Sequence, residues 1–419
     1  MLEQNKIIEN LFRSEYGKMV AVLLNKFGPS HLEHVEDAVQ DALLKAMQVW
    51  GYKELPENPT AWLLRVAGNG LIDRLRKDHK VVLQGDNLRL SKDQKELQHE
   101  LSLSNTISDS QLKMIFACCH PALSIDYQII LSLKLIGGFG NGEIAAALLK
   151  KEETVAKSFT RAKKQLKSKI TTLEIPLEMG LQSRLTVVLK VIYLLFAEGY
   201  SPNSGAFIIK KDICLEAIRL ALLLGDNKYC DDPNVNALIA LMCFHTSRFE
   251  ARVDENLELV DLEHQDRTKY DNDLILIGIQ HLEKASVEVQ TPSNYHMEAA
   301  VSYYHCIAKS FDQTEWRSIL HLYDLQLKKQ FSPIVLLNRM VPFYKVHGAE
   351  AALKILKKFE ASPYAIRNAL FYAIHAELSI ELGDYEEAKI ALNNSMELSK
   401  NELEKRHLQK KLSVLDQLN

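Results

Sequence analysis

The sequence predicts an all-α protein with more than one domain. Glycine and proline together supply 28 of the 419 residues, where average usage would give about 12%, so the turns of a many-stranded sandwich or barrel are scarce. Most of the chain instead repeats apolar residues at helical spacing. With 47% hydrophobic and 25% charged residues, the composition is that of a globular protein. The length alone suggests two or three domains.

The helical pattern divides the chain into four zones. Residues 1–78 show several helices, and residues 79–110 lose the helical pattern and gain polar residues, which is typical of a linker. Residues 111–172 are helical again and end in a basic helix. After a proline-containing break, residues 183–419 form one long helical region with short turns.

Within the first zone, a predicted helix over residues 34–47 carries an acidic patch beside its apolar face. The patch consists of Glu36, Asp37, Gln40 and Asp41. A second helix, over residues 60–77, has Leu64 and Leu71 on the expected buried face and Arg65 on an outward stripe. An acidic helix beside a basic one indicates two different partners, although two amphipathic helices with ordinary surfaces would give the same pattern.

The third zone contains a predicted helix-turn-helix. A short helix over 143–149 is followed by a turn and a longer helix that we expect to be capped at Thr154. On that helix the apolar positions fall on one face and the polar positions on another: Val155, Phe159, Ala162 and Leu166 against Lys157, Thr160, Arg161 and Lys164. Residues 150–169 hold eight cations and two anions. Such a helix fits the major groove, and the alternative is a solvated lysine-rich face.

The last zone contains a weak repeat. Gly348 and Gly383 lie 35 residues apart, each in a predicted turn between two apolar helices. This spacing is close to the tetratricopeptide period of about 34 residues. Two such units are also compatible with two ordinary helical hairpins.

The remaining signals exclude several classes of protein. The net charge of −3, taken alone, argues against nucleic acid. We find no signal peptide, and the apolar stretch 185–197 is shorter than the roughly 20 residues of a membrane span, so a cytoplasmic protein is expected. The six cysteines indicate buried reduced thiols. No metal site is predicted at Cys118-Cys119-His120, and no cofactor-binding or enzymatic motif is found.

Two sets of motifs resemble those of extracytoplasmic-function sigma factors of bacterial RNA polymerase. The acidic patch and the pattern after it resemble region 2: Pro59, Trp62-Leu63, Val66-Ala67, Asn69, Asp73 and Arg76. A later set resembles region 4: Glu143-Ile144-Ala145, Thr154-Val155 and Arg161-Ala162-Lys163. Further stretches are similar to sigma factors with a long tetratricopeptide-like extension, among them 116–123, 193–200 and 333–339.

The resemblance implies a role for each set of residues. The acidic patch would dock on the clamp helices of the polymerase β′ subunit, within a core that also contains the β subunit. The −10 element would meet Arg65, Asn69, Arg74, Arg76 and Lys77. The −35 element would meet Thr154, Lys157, Thr160, Arg161 and Lys164. The loop 51–59 would capture a flipped base, and the linker would run through the polymerase channel.

The extension is expected to regulate the sigma domains through contacts in cis. Gln265, Asp266 and Arg267 are candidate contact residues, and a buried Asp–Arg pair between two helices is the structural alternative. The competing function for the whole chain is a helix-turn-helix transcriptional regulator with a helical sensor domain. That reading leaves the acidic patch and the Trp62 to Arg76 pattern without a role.

Overall fold

The structure is a computed structural model that describes most of the chain. The described residues are 2–50, 55–78, 96–148, 150–176, 178–200, 211–255, 258–287, 289, 291–360, 362, 364, 367–399 and 402–417. Among them no strand longer than an isolated bridge between Val253 and Leu259 is present, and the all-α prediction is confirmed.

The α-helices are α1 (Leu2–Phe27), α2 (Leu32–Trp50), α3 (Pro59–Asp78), α4 (Glu96–Cys118), α5 (Ile125–Leu131), α6 (Asn141–Ala147), α7 (Glu152–Lys169), α8 (Glu178–Tyr200), α9 (Lys211–Gly225), α10 (Pro233–Ser247), α11 (Asn272–Ser286), α12 (Asn294–Ile307), α13 (Trp316–Lys329), α14 (Pro333–His347), α15 (Ala349–Glu360), α16 (Ala369–Glu381), α17 (Tyr385–Leu398) and α18 (Glu402–Gln417). They belong to two compact units, residues 1–195 and 196–419.

Helices α2 and α3 pack together in the first unit. Helix α3 starts at Pro59, which has no N–H to leave unpaired, and the side chain of Asn58 accepts a hydrogen bond from the N–H of Ala61 at 2.9 Å. The buried face of α3 contains Leu63, whereas Leu64, predicted to be buried, is only half-buried.

The predicted linker, residues 79–110, is too long, because helix α4 occupies its last part. This helix begins at Glu96, so the last part of the segment 79–110 is helical. No glycine or proline interrupts the chain between Gly85 and Pro121, and the polar residues there, glutamate and glutamine among them, are compatible with a helix. Helix α4 packs on α1, where the amide of Asn25 donates to the hydroxyl of Ser110 at 3.1 Å. Residues 79–95 lie outside the described part.

The predicted helix-turn-helix is formed by α6 and α7. Its four predicted core residues are all buried: Val155, Phe159, Ala162 and Leu166. The predicted cap at Thr154 is wrong, because α7 begins at Glu152 and its N-cap is Lys151, which makes no side-chain cap. A π-helical turn, Ser132–Ile136, precedes α6. Leu149, which stands in the predicted turn between the two helices, lies outside the described residues.

In the second unit, each helix from α9 to α18 packs on the next one along the chain. Gly348 and Gly383 occupy the predicted turns between helices, with φ of 89° and 75°. These positive angles suit glycine, which has no Cβ to clash. All six cysteines are free and buried, as predicted.

The predicted start of the extension, residue 183, falls inside α8. Among the described residues, the stretch Gly180–Ala197 of this helix is the one that is long and apolar enough to cross a membrane, by length and composition only. It contains Arg184 and Lys190, and Arg184 donates to the backbone carbonyl of Phe116 on α4. Nearly half of the stretch is buried inside the protein.

Candidate nucleic-acid interface

One face of α7 is an exposed, mainly cationic surface. All five residues predicted for it are exposed: Thr154, Lys157, Thr160, Arg161 and Lys164. The ammonium of Lys157 pairs with Glu153 at 2.6 Å, with both side chains largely in solvent. The hydroxyl of Thr160 donates to the carbonyl of Ala156 at 3.0 Å. The surface lies opposite the buried face, so a ligand can approach it without disturbing the core.

A second cationic face of α7 points inward. The Nζ atom of Lys163 lies 2.6 Å from Oε2 of Glu36 on α2, and these side chains are only 16% and 9% exposed. One turn later, Lys167 pairs with Glu33 at 2.6 Å. The sequence prediction missed both pairs. The signal was present in the spacing, because two lysines four residues apart share one face of a helix, as do two glutamates three residues apart.

The acidic patch on α2 is therefore not a single open surface. Glu36 is buried, and besides Lys163 it accepts a hydrogen bond from the hydroxyl of Tyr16 at 3.4 Å. Burial, together with the charge of Glu36, raises the pKa of Tyr16. Asp37, Gln40 and Asp41 are exposed, as predicted. The sequence did not indicate the burial of Glu36, because amphipathic spacing cannot show which polar residue meets a partner from another helix.

Burial of Glu33 alone would raise its pKa, but the hydrogen bond and charge of Lys167, with the charge of Lys163, outweigh burial and lower the pKa of this carboxyl. The carboxylate is thus the form that the α7 lysines stabilise. The contact between α2 and α7 is electrostatic in character.

The α3 surface presents four of its five predicted residues to solvent: Arg65, Asn69, Arg76 and Lys77. The fifth, Arg74, is only half-exposed because its guanidinium bridges to Asp37, at 3.4 Å, and to Asp41. A residue predicted to meet DNA is thus held by two residues predicted to meet the polymerase. A Cβ built on Gly70 meets nothing within 4 Å, so no neighbour among the described residues explains that glycine.

An aromatic cluster adjoins the loop 51–59, and the site prediction did not include it. The rings of Trp50 and Trp62 lie 5.3 Å apart, and Phe12 lies 6.3 Å from Trp50. Both tryptophans are half-buried, so part of each ring remains accessible. Residues 51–54 lie outside the described residues.

Two family models match these helices. The model for sigma-70 region 2 matches residues 11–81, and the model for sigma-70 region 4 matches residues 113–166. Along nearly its full length, the chain is similar to an uncharacterized protein of Rhizobium meliloti (strain 1021), with 32% identity over 390 residues, 92% of this chain and 90% of the relative. The chain is a sigma factor of the sigma-70 family, of the extracytoplasmic-function type.

Further comparisons concern the rest of this sigma factor. A family of unknown function, DUF6596, matches residues 184–286, in the C-terminal extension. No solved structure matches the chain. Sigma-70 proteins are DNA-binding regulators that direct RNA polymerase core to promoters, typically in the cytoplasm, and they are not enzymes. The chain thus has the parts required for promoter recognition, followed by an extension.

The extension contains the three candidate contact residues, and they do not form the alternative Asp–Arg pair. The guanidinium of Arg267 donates to the backbone carbonyl of His305 at 2.7 Å. Asp266 is exposed and accepts hydrogen bonds from Thr268. Gln265 accepts from the hydroxyl of Tyr270 at 3.0 Å. Arg267 and Gln265 thus tie the extension together internally, and Asp266 faces solvent.

A buried polar cluster lies next to Arg267. Arg248 donates to Nδ1 of His245 at 3.3 Å and to the hydroxyl of Tyr200 at 3.4 Å, and Arg252 lies 4.0 Å from the centre of the Tyr200 ring. An imidazole that accepts from a guanidinium is neutral at that nitrogen. Burial and the nearby arginines lower the pKa of His245 well below its usual value.

Near the end of α4, burial raises the pKa of Cys119 to about 12. This thiol is therefore protonated near neutral pH, and it is a poor metal ligand and nucleophile in that form. Within the described parts of the sigma factor, no group of three His, Cys, Asp or Glu residues could hold a metal ion.

Proposed function

We propose that the exposed face of α7 enters the major groove at the −35 element. The observation that carries this proposal is the separation of faces on α7: the five candidate residues are exposed, while the four apolar residues opposite them are buried. Lys157, Arg161 and Lys164 then contact phosphates or guanine edges, and Thr154 and Thr160 add hydroxyl groups that donate or accept.

Helix α3 meets the −10 element in this proposal. Arg65, Asn69, Arg76 and Lys77 are exposed for that purpose, and the rings of Trp50 and Trp62 offer a surface on which an unpaired base can stack. Arg74 is released to DNA only when its two aspartates are taken by another partner.

The polymerase is that partner. Asp37 and Asp41, with Gln40 and Glu36, dock on the clamp helices of the β′ subunit, where the negative charge steers and orients a basic surface. Because Arg74 bridges the same two aspartates, docking frees this arginine for the promoter. Polymerase binding and −10 contact are in this way coupled through one side chain.

The test is reconstitution of the full-length sigma factor with purified core polymerase on sheared genomic DNA, with transcripts identified by sequencing. Asp37→Lys/Asp41→Lys is expected to abolish co-purification with core while retaining the helical circular dichroism spectrum. Glu283→Lys/Asp312→Lys is the matched control, since it makes the same charge change at exposed positions of the extension. Retained core binding by the aspartate variant would refute the docking proposal.

The extension regulates the sigma domains in cis, with Asp266 as the exposed member of the candidate contact. Support comes from its size and from the helical packing of α9 to α18, since surfaces of helical repeats commonly bind partners. Truncation after residue 200 tests this, because it keeps α8 whole, whereas truncation at 183 would cut that helix. A change in transcription in either direction supports regulation, and unchanged transcription rejects it.

A further inference from the structure

We infer that the C-terminal extension contains a binding site for a phosphoryl dianion, either inorganic phosphate or the phosphate group of a small phosphate ester. The site is the arginine cluster, which is defined by Arg248, Arg252 and Arg267. It lies within the second compact unit and uses none of the residues assigned above to DNA or polymerase. The inference concerns binding alone, so it does not depend on regulation by the extension.

The arginine cluster joins the C-terminal ends of three helices. Arg248 directly follows α10. Nη1 of Arg252 donates to the carbonyl of Tyr200, the last residue of α8, at 3.2 Å. Arg267 donates to the carbonyl of His305, near the end of α12. A helix C-terminus carries about half a negative charge, so three of them offset roughly half of the charge of three guanidinium groups.

No carboxylate balances the rest of this charge among the residues that the structure describes. None of the three guanidinium groups forms an ion pair there. Arg248 and Arg252 instead meet the hydroxyl and the ring face of Tyr200. Asp266, which is next to the third arginine in the sequence, is exposed and accepts from Thr268. Because a buried charge without a counter-ion is unfavourable, we expect an anion from outside the chain to complete the cluster.

Three polar atoms of this region are buried and lack a hydrogen-bond partner within the described part of the chain: Nε of Arg248, Nη2 of Arg267 and Nδ1 of His305. Arg248 is only 7% exposed. Buried donors of this kind are normally paired, so these atoms indicate an absent ligand. The side chains of Arg252, Arg267 and His305 are half-buried, so an ion can reach the cluster from solvent.

The donor set fits a phosphoryl group better than a carboxylate. Each guanidinium has five N–H donors in a planar fork, which suits the oxygens of a phosphate. A phosphate monoester carries about −1.5 to −2 near neutral pH, close to the charge of about +1.5 that remains after the helix ends are counted. Burial and the charges of Arg248 and Arg267 lower the pKa of His305 to about 3. This imidazole is therefore neutral, and its Nδ1 can accept a hydrogen bond from a protonated phosphate oxygen.

The cluster brings together parts of the extension that lie far apart in the sequence. Tyr200 is the last residue of the stretch 193–200, and Arg267 belongs to the candidate contact residues 265–267. Both stretches and the other two arginines fall within residues 184–286, which match the family of unknown function. An anion site gives one shared role to residues that have no assigned contact with DNA or polymerase.

The test titrates the full-length protein with sodium phosphate, glycerol 3-phosphate or sodium acetate at constant ionic strength, followed by calorimetry. Fluorescence is recorded in parallel in Trp50→Phe/Trp62→Phe protein, in which Trp316 is the one tryptophan left. Its ring centre lies 5.6 Å from that of His305. We expect saturable binding of a phosphate compound that changes this fluorescence and is at least about tenfold tighter than binding of acetate.

The two phosphate compounds distinguish the sources of the ligand. Tighter binding of inorganic phosphate identifies the free ion, and tighter binding of glycerol 3-phosphate identifies an ester. If neither compound gives saturable binding up to about 10 mM, the inference is overturned. It is also overturned if acetate binds as tightly as both.

Variants locate the site. Arg252→Gln and, independently, Arg267→Gln are each expected to weaken phosphate binding at least about tenfold, because charge-assisted hydrogen bonds are lost. Arg317→Gln is the matched control, since it makes the same change at an exposed position of α13, and it should bind like the wild type. Lys157→Ala/Arg161→Ala should also bind like the wild type, because the α7 surface is not involved.

Thermal unfolding followed through Trp316 separates an anion site from a purely structural arginine network. Phosphate is expected to raise the Tm of the wild type and of Arg317→Gln, and to raise that of Arg252→Gln much less. Retained helical circular dichroism shows that each variant is folded. Equal phosphate-dependent shifts in folded Arg252→Gln and Arg317→Gln, or unchanged affinity in both cluster variants, would show that phosphate binds elsewhere and would overturn the inference.

Discussion

Replacing Lys157 and Arg161 by alanine should flatten the salt dependence of promoter binding by the holoenzyme. Both side chains are exposed on α7, opposite its buried face. They differ in one respect: Lys157 pairs with Glu153 at 2.6 Å, whereas Arg161 has no ion-pair partner among the described residues. Arg161 can therefore give its full charge to a phosphate, and Lys157 must first give up an exposed ion pair worth less than about 1 kcal/mol.

The size of the effect follows from counterion release. Each phosphate neutralised on B-DNA contributes about −0.9 to the slope of log K against log salt. Loss of both cations should reduce the slope by about 0.9 to 1.8, with the lower figure applying if Glu153 keeps Lys157 occupied. Between 50 and 200 mM salt this corresponds to a difference of about three- to twelvefold in the loss of affinity.

The assay is fluorescence anisotropy of holoenzyme on a promoter fragment selected by the genomic transcription experiment. Lys163→Ala serves as the matched control, because it removes one cation from the same helix but from the face that meets Glu36. An unchanged slope in Lys157→Ala/Arg161→Ala would refute the assignment of the exposed face. An equal flattening in Lys163→Ala would show that DNA meets the other face.

Three further predictions concern stability. Gly70→Ala should stabilise α3 by about 1 kcal/mol and raise Tm, because a Cβ there meets nothing within 4 Å; a parallel loss of transcription would show that DNA or polymerase approaches this point. Asn58→Ala should cost about 1 kcal/mol in chemical denaturation, through loss of its hydrogen bond to the first turn of α3. Burial and nearby arginines lower the pKa of His305 to about 3, so the unfolded state takes up the proton first and stability falls as pH drops below about 6.5, by about 2 kcal/mol at pH 5. Urea unfolding at pH 7 and pH 5, followed through Trp316 beside this histidine, should show a loss of at least that size, and His305→Gln should reduce the loss by about 2 kcal/mol.

The local pattern of apolar and polar residues was sufficient to predict the helices and the exposed, cationic face of α7. The four residues predicted for its core are all buried because an 18-residue helix packed on one side repeats its environment every 3.6 residues. The N-cap of the same helix was placed three residues late, at Thr154, because threonine is a preferred cap, but the helix begins after Lys151 instead. The capping preference of a residue acts at a single position, and the geometry of the turn that precedes a helix readily overrides it.

The contacts between regions 2 and 4 could not be predicted from the local sequence pattern. Lys163 and Glu36 are separated by 127 positions, and the spacing within each helix shows only that the helix has a charged face, not that the two faces meet. The same applies to Gly17, because only the backbone of Ile136, which a Cβ at this position would meet, explains why a glycine stands there. The predicted end of the linker at residue 110 was wrong because polar composition was taken as a break, whereas α4 continues through it.

The net charge of −3 argued against a nucleic-acid partner, and the eight cations among residues 150–169 argued for one. The ion pairs bear on these two interpretations of the charge. Lys163 and Lys167 are neutralised by glutamates of α2, so they contribute little to the attraction of an approaching duplex.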